Sequence, residues 1–247
     1  MSSATPFVFV EQEAVAGEVV SLAPDDAHHL LRVVRLQPGD PIEVSDGRGR
    51  IWRAFLDAPG SARLLEGPEV RESPVPVLHV LQALPKGRKL DEVIQAVVEL
   101  GVERITPVAA ERSVGRLIGD KRERARRRWM AVARAAATQS RRAWLPQVSE
   151  LLDVETAAAS LDHPHIGGVV AHVGASTGLA AALAALPPGT SEVAVAIGPE
   201  GGWTEAEVDC WSRSGLKGIT LGPSVLRTEH AAFGACAAIA YATGRMT

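Results

Sequence analysis

Two stretches near the C-terminus, IGPEGGWTEAEV (residues 197–208) and LGPSVLRTEHAA (residues 221–232), share one design. Each opens with an apolar residue and Gly-Pro, follows a run that reads as a buried strand, and leads into a run that reads as a helix. Glycine permits positive φ and close approach of a ligand to the backbone; proline fixes φ and removes an N–H donor. A third strand-like run, GGVVAHV, ends in HVGAST, so three strand ends carry distinctive loops. Ligands of open parallel sheets bind outside the carboxyl ends of the strands. The loops are therefore a binding site or simply tight turns, and the paired Gly-Pro turns with the EGGW run favour a site.

Helices are expected to start near Thr177, Thr204 and Thr228, each able to cap its helix. Glu205, Glu207 and Glu229 fall in first turns, which makes these helix starts poor phosphate sites and favours a neutral or cationic ligand. The dinucleotide fingerprint and the P-loop pattern are both missing, which argues against a Rossmann dehydrogenase and a P-loop NTPase.

The alternation extends upstream. VLHVLQAL, RITPVAA, EVAVAIG and KGITLG read as strands. KLDEVIQAVVEL places Leu90, Val93, Ile94, Val97 and Leu100 on one helical face and ends at Gly101, a good C-cap residue. Lys121 to Ser140 reads as a long helix with an apolar stripe of Trp129, Val132, Ala133 and Ala136, opposite Arg127, Arg134 and Arg141. Short apolar strands alternating with helices describe an α/β fold with a mostly parallel sheet. The first third reads as all-β. DPIEVSDGRGRIWRAFL is a hairpin, preceded in DDAHHLLRVVRLQPGD by a short Asp-capped helix or turn and a Pro-Gly turn. The Pro-rich, charged EGPEVRESPVP marks a boundary, so domains are expected at 1–73 and 74–247.

With 46% hydrophobic and 22% charged residues among 247, the composition is that of a soluble globular protein. No apolar run is long enough to span a bilayer, MSSATPFVFVEQE lacks the features of a signal peptide, and Cys210 and Cys236 have neither metal-site nor disulfide spacing. A cytoplasmic protein is expected. The net charge of −3 conceals an asymmetry: residues 111–142 carry +8 and the remainder −11. The basic run comprises Arg112, Arg116, Lys121, Arg122, Arg124, Arg126, Arg127, Arg128, Arg134, Arg141 and Arg142, and reads as a phosphate-binding footprint or a solvated helix surface.

The blocks LPKGRKLDEVIQAVVELGVERITPV, QSRRAWLP, IGPEGGWTEAEVD and LGPSVLRTEHAA, in this order, resemble the signature of the RsmE family. These are SPOUT-class methyltransferases that methylate N3 of a uridine in 16S ribosomal RNA using S-adenosylmethionine. HHLLRVVRLQPGD is similar to the family's N-terminal PUA-like barrel, and the resemblance covers nearly the whole chain. It implies a SPOUT-type parallel sheet with a C-terminal trefoil knot, preceded by a small PUA-like β-barrel. It also implies a homodimer acting on 16S rRNA or the small ribosomal subunit. The cofactor loops carried over are His172, Val173 and Gly174; Ile197, Gly198, Pro199, Gly201 and Gly202; and Leu221, Gly222, Leu226 and Thr228. The chain departs from the commoner family pattern at Val97-Val98, Thr138, Arg141 and His230, and keeps the glycines and Arg227.

Methyl transfer from a sulfonium needs the nucleophile aligned behind the methyl group. Uridine N3 attacks only as its proton leaves, when negative charge spreads to O2 and O4, and an arginine aimed at either oxygen would stabilise it. Arg142 and Arg227 are the candidates, with phosphate binding or an ion pair as the alternative for each. Glu200 and Glu229 stand in the right loops for a general base, or serve as structural acceptors. Arg32, Arg35, Arg124, Arg127, Arg128, Arg134 and Arg141 are candidate RNA contacts. His28 and His29 contact RNA or, the favoured reading, pack in the barrel. His163 and His165 lack a third ligand, so no metal is expected. His230 is a candidate for facing the pocket, and Trp203 walls the cofactor or simply packs. Two other functions fit: methylation at another RNA position such as a ribose 2′-hydroxyl, or RNA binding without catalysis.

Overall fold

The computed structural model describes residues 5–12, 14–114 and 117–246. Two compact units result. One runs to Ser73 and also takes Ala137–Leu145; the other comprises Pro74–Ala136 and the chain from Pro146 onward.

The first unit contains β1 (Phe7–Phe9), β2 (Val19–Ser21), α1 (Pro24–His28), β3 (Pro41–Ser45), β4 (Arg50–Ala58), β5 (Ser61–Leu64) and β6 (Glu69–Val70). The expected hairpin is β3–β4, with Val44 opposite Trp52, both buried. Its turn is closed by Asp46 Oδ1, which accepts the N–H groups of Arg48 (2.7 Å) and Arg50 (3.1 Å). Gly49, at φ +96°, has no alternative, because a Cβ there would lie 2.5 Å from the Arg71 carbonyl oxygen. The strand order is β1-β3-β4-β5-β2, with β6 also on β4. β1 runs parallel to β3 and the other pairs are antiparallel. No ladder joins β1 to β2 among the described residues, so the expected barrel takes the form of a sheet around Val20, Leu30, Val44, Trp52, Leu56 and Leu64.

The expected Asp cap is replaced by another arrangement. Ala23 is the N-cap and Pro24 opens α1, where its missing N–H costs nothing; Asp25 and Asp26 lie in the first turn. A π-helical turn, His29–Val34, follows and ends at Arg35 in the left-handed region, φ +64°. The QSRRAWLP stretch joins this unit through the hairpin. Gly49 donates to the Ala143 carbonyl (2.9 Å), Leu145 to that of Gly47 (3.0 Å), and Trp144 Nε1 to that of Arg71 (3.0 Å).

The second unit alternates β7 (Val77–Ala83), α2 (Lys89–Glu99), β8 (Arg104–Ala109), α3 (Asp120–Gln139, in this unit as far as Ala136), β9 (Gln147–Val148), β10 (Leu152–Asp153), α4 (Val154–Ala159), β11 (Ile166–Ala171), α5 (Leu179–Ala184), β12 (Glu192–Ile197), α6 (Glu205–Arg213), β13 (Leu216–Ile219) and α7 (Thr228–Ala242). All its strand pairs are parallel, in the order β10-β8-β7-β12-β11-β13, with β9 also on β8. β12 is buried along its whole length, as expected of a central strand covered on both faces. One face packs Leu81, Ala194, Ala196, Trp203, Trp211 and Leu216 with α4 and α6. α7 packs on α2, β7 and β12. Leu90, Val93, Ile94 and Val97 of α2 are buried, as is Val98, while Leu100 is half-buried as the C-cap and Gly101 continues at φ +96°. In α3, Trp129, Ala133 and Ala136 are buried and Val132 is half-buried.

Between β7 and β12 the connections diverge: β7 leads through α2 to β8 on one side, while β11 and β13 lie on the other. Such a switch point opens a crevice at the carboxyl ends of the strands.

Candidate functional site

The three loops emerge at that carboxyl edge. After β11, His172 N–H bonds the Ile219 carbonyl (3.0 Å), and Val173 is 79% exposed. After β12, Gly202 N–H closes on the Pro199 carbonyl (2.8 Å), with Gly202 at φ +69°. After β13, Gly222 takes φ +130° and Thr220 Oγ1 donates to its carbonyl at 3.0 Å. A Cβ at Gly198 would meet Trp203 Nε1 at 3.3 Å, and one at Gly201 would meet Arg112 Cβ at 3.1 Å. Beyond Gly222, Val225, Leu226 and Arg227 are exposed.

Side chains tie the loops together. Thr228 opens α7 as expected but does not cap it; Arg227 is the N-cap, without a side-chain bond to the helix. The Thr228 hydroxyl instead donates to the Gly198 carbonyl (2.6 Å) and accepts from Gln82 Nε2 (2.9 Å). Thr204 does cap α6, in a capping box with Glu207. α5 begins after Gly178 rather than Thr177. Glu200 accepts the Lys86 N–H and lies 3.8 Å from Lys89 Nζ, which pairs with Glu229 at 3.1 Å. Arg112 donates to the carbonyls of Gly201 (3.0 Å) and Trp203 (3.4 Å). Glu207 of α6 accepts the Glu111 N–H (2.7 Å), so that bond and those of Arg112 hold the loop after β8 to the start of α6 and to the glycine loop.

The candidate acids are thus engaged. A hydrogen bond from its own backbone N–H, with Lys89 alongside, holds the Glu229 carboxyl below its ordinary range, which suits an anchor better than a base. Arg227 is exposed and has no side-chain partner among the described residues, as suits a group awaiting a ligand. Arg142 belongs to the first unit, where its N–H bonds the Ala137 carbonyl (2.9 Å). His230 is exposed. Trp203 is buried edge-to-face on Trp211, ring centres 5.5 Å apart, so it packs.

The basic run divides. Arg124 and Arg127 are exposed, the latter with a loose 3.5 Å pair to Glu123. Arg128 pairs with Asp91 (3.1 Å) and Arg122 donates to the Leu151 carbonyl. Arg141 pairs with Glu43, donates to the Thr5 carbonyl and lies over the Phe7 ring. Arg134 is half-buried, and Arg116 lies outside the described residues. In the first unit Arg32 and Arg35 are exposed, and so are His28 and His29, which do not pack in the core as favoured; the π-helical turn buries Leu30 instead.

His163 and His165 are exposed neighbours, and no group of three or more potential metal ligands occurs among the described residues. Cys236 is buried, which raises its thiol to about 12 and leaves it unreactive at neutral pH.

At the opposite end of the sheet lies a buried polar network that the sequence did not announce. His79 Nδ1 bonds Glu192 (2.8 Å), its Nε2 meets Thr106 Oγ1 (2.8 Å), and Arg104 pairs with Glu192 at 2.8 Å. Burial lowers the His79 pKa against the pull of Glu192. Burial raises that of Glu192, but His79 and Arg104 outweigh it, so the net shift is downward. Gln82, Lys86 and Lys89 were not singled out as site residues in the sequence, and Arg112 and Glu207 stood there only as part of the basic run and of a helix first turn. The available signal for Gln82 and His79 was a polar residue inside the apolar run VLHVLQA.

The family model described as an RNA methyltransferase domain matches residues 71–240, and one described as an RNA methyltransferase PUA domain matches residues 22–63. The chain is 34% identical over 237 residues to the Synechocystis ribosomal RNA small subunit methyltransferase E, covering 93% of this chain and 77% of that one. It is 34% identical over 248 residues to the Bacillus subtilis protein of the same name, covering 94% of each. The crystal structure of the Neisseria gonorrhoeae ribosomal RNA small subunit methyltransferase E bound to S-adenosyl methionine superimposes with a TM-score of 0.85 at 27% identity, over 96% of this chain and 97% of that one. With these matches along nearly its whole length and glycine-bearing loops at the carboxyl edge of its parallel sheet, the chain belongs to the ribosomal RNA small subunit methyltransferase E family.

Proposed function

We propose that this protein transfers a methyl group from S-adenosylmethionine to N3 of a uridine in the 16S RNA of the small ribosomal subunit, acting in the cytoplasm as a homodimer. The observation that carries the reading is the Thr228 hydroxyl, which joins the two Gly-Pro loops at the switch point between β7 and β12. The trefoil knot belongs to the same reading, because the chain returns from the edge strand β13 to pack α7 on β7 and β12.

The residues fit the cofactor. Gly202 and Gly222 take backbone conformations that disfavour a side chain, and space is open where a Cβ would stand. Val173, Val225 and Leu226 offer exposed apolar surface for an adenine, and the main chain of His172, Gly174, Ile197, Gly198, Pro199, Gly201 and Leu221 lies along the same edge. The cofactor supplies an electrophilic methyl group on a sulfonium. Arg227 donates to a uracil carbonyl oxygen as the N3 proton passes to solvent water, and Arg142 is the second candidate for that role. Glu200 anchors the Lys86 loop rather than moving a proton. Arg124 and Arg127, with Arg32 and Arg35, meet RNA phosphates.

The test is to incubate purified protein with 16S RNA and with small subunits in the presence of S-adenosylmethionine, then to map modified nucleosides by mass spectrometry. One new 3-methyluridine is expected, missing from RNA of a strain lacking the protein. A methylated ribose would move the protein to another RNA methyltransferase activity, and no methylation of either substrate would leave only an RNA-binding role.

A further inference from the structure

Gln82 is the last-but-one residue of β7, in register with Ile197 of β12, and it is fully buried. Its amide orientation is dictated by its neighbours. The single Thr228 hydroxyl proton goes to the Gly198 carbonyl at 2.6 Å, so Thr228 can only accept from Gln82. Nε2 must therefore face Thr228, at 2.9 Å, and its second hydrogen goes to the Ala83 carbonyl, at 3.0 Å. The cost of this arrangement is visible: Oε1 is buried without a hydrogen-bond partner among the described residues. Such an orphaned acceptor calls for a specific explanation.

We infer that Gln82 is a positioning residue for the cofactor site. It holds the Thr228 hydroxyl, Thr228 holds the Gly198 carbonyl, and the relay sets the spacing between the glycine loop and the turn that carries Arg227. This rests on the functional reading above. A carboxylate at position 82 has the right shape but no hydrogen to donate, and a methionine fills the space without polar atoms.

The experiment measures S-adenosylmethionine binding by calorimetry, RNA binding by filter retention, single-turnover methylation and thermal melting on wild type, Gln82→Met, Gln82→Glu, Thr228→Val, Thr228→Ser and the Gln82→Met/Thr228→Val pair. Gln82→Met and Thr228→Val are each expected to weaken cofactor binding about tenfold, the factor that one net hydrogen bond supplies. RNA affinity should stay within about twofold, since the phosphate-facing arginines are untouched. The double variant should be no weaker than the worse single one, because both remove one relay. Thr228→Ser should recover most of the affinity that Thr228→Val loses, and Gln82→Glu should lose at least as much as Gln82→Met. Should either Gln82 variant fail to fold, the Thr228 pair carries the test alone. Normal cofactor affinity in folded Gln82→Met protein, with only the melting temperature lowered, overturns the positioning role, and so do losses that multiply in the double variant. Wild-type protein that binds no S-adenosylmethionine overturns the functional reading itself.

Discussion

Both carboxylate oxygens of Glu200 lie within hydrogen-bonding distance of the Lys86 backbone nitrogen, at 3.1 and 3.3 Å. Glu200, whose place in the Gly-Pro-Glu loop allowed either a general base or a structural acceptor, is thereby bonded as an acceptor between the loop after β12 and the loop after β7. Glu200→Gln keeps an acceptor and is expected to retain most of the methylation rate with an unshifted pH profile. Glu200→Ala removes it and should slow turnover roughly tenfold or more, as loss of a bond to a charged group does. A rate that falls as far in Gln as in Ala, with loss of the alkaline-rising limb, would restore the base assignment.

Arg227 is exposed at the start of α7, with no side-chain partner among the described residues. Arg227→Ala should lower the single-turnover rate at saturating RNA and cofactor by about a hundred- to a thousandfold, the cost of losing a donor aimed at developing charge. The RNA dissociation constant should stay within a few-fold. A normal saturated rate with collapsed RNA affinity would make Arg227 a phosphate ligand and move attention to Arg142.

The arginines of α3 differ in what they can do. Reversing Arg124 and Arg127 to Glu should flatten the salt dependence of RNA binding, by about one unit of slope for each phosphate left without its arginine. Arg128, paired with Asp91, behaves otherwise. Its reversal should lower stability in urea through like-charge repulsion within the unit, with a smaller change in salt slope. Titrations of RNA binding between low and moderate salt, beside urea denaturation of the same proteins, check both expectations.

The network at His79 makes stability depend on pH in a stated direction. His79 has a folded pKa below its ordinary 6.5, so the unfolded chain binds the extra proton first. Its contribution is therefore full above 6.5 and falls as pH drops through 6.5 towards the folded pKa. Glu192, also lowered, adds a second loss as pH falls below its ordinary 4.5 and through its folded value. Urea midpoints should decline on acidification from neutral pH. His79→Gln should start less stable but show a flatter decline in the histidine range, leaving the carboxylate part; an unchanged slope there would mean that His79 is not the group responsible.

Much of the second unit was legible because it is periodic. The apolar positions Leu90, Val93, Ile94 and Val97 mark the buried face of α2 through a spacing that any helix imposes. Glu207, three residues after Thr204, forms the capping box for a reason equally local. The helix cap expected of Thr228 failed because Arg227 takes the N-cap position, and the Thr228 hydroxyl is engaged at long range, accepting from Gln82 Nε2 and donating to the Gly198 carbonyl. The basic run was legible as charge and illegible as surface. Whether an arginine faces solvent, like Arg124, or is taken up by Glu43, like Arg141, depends on what the fold brings alongside.

The amino-acid sequence by itself determined where strands end, where glycines free the backbone and which helix faces are apolar, because these follow from interactions a few residues long. Only the tertiary structure decided that β12 lies beside β7, and so that Gln82 meets Thr228 across 146 positions of chain. It alone bent the QSRRAWLP stretch back onto the β3–β4 hairpin. Strand order and the partners of buried polar groups are set by which distant surfaces exclude water together, and that competition leaves no period in the sequence.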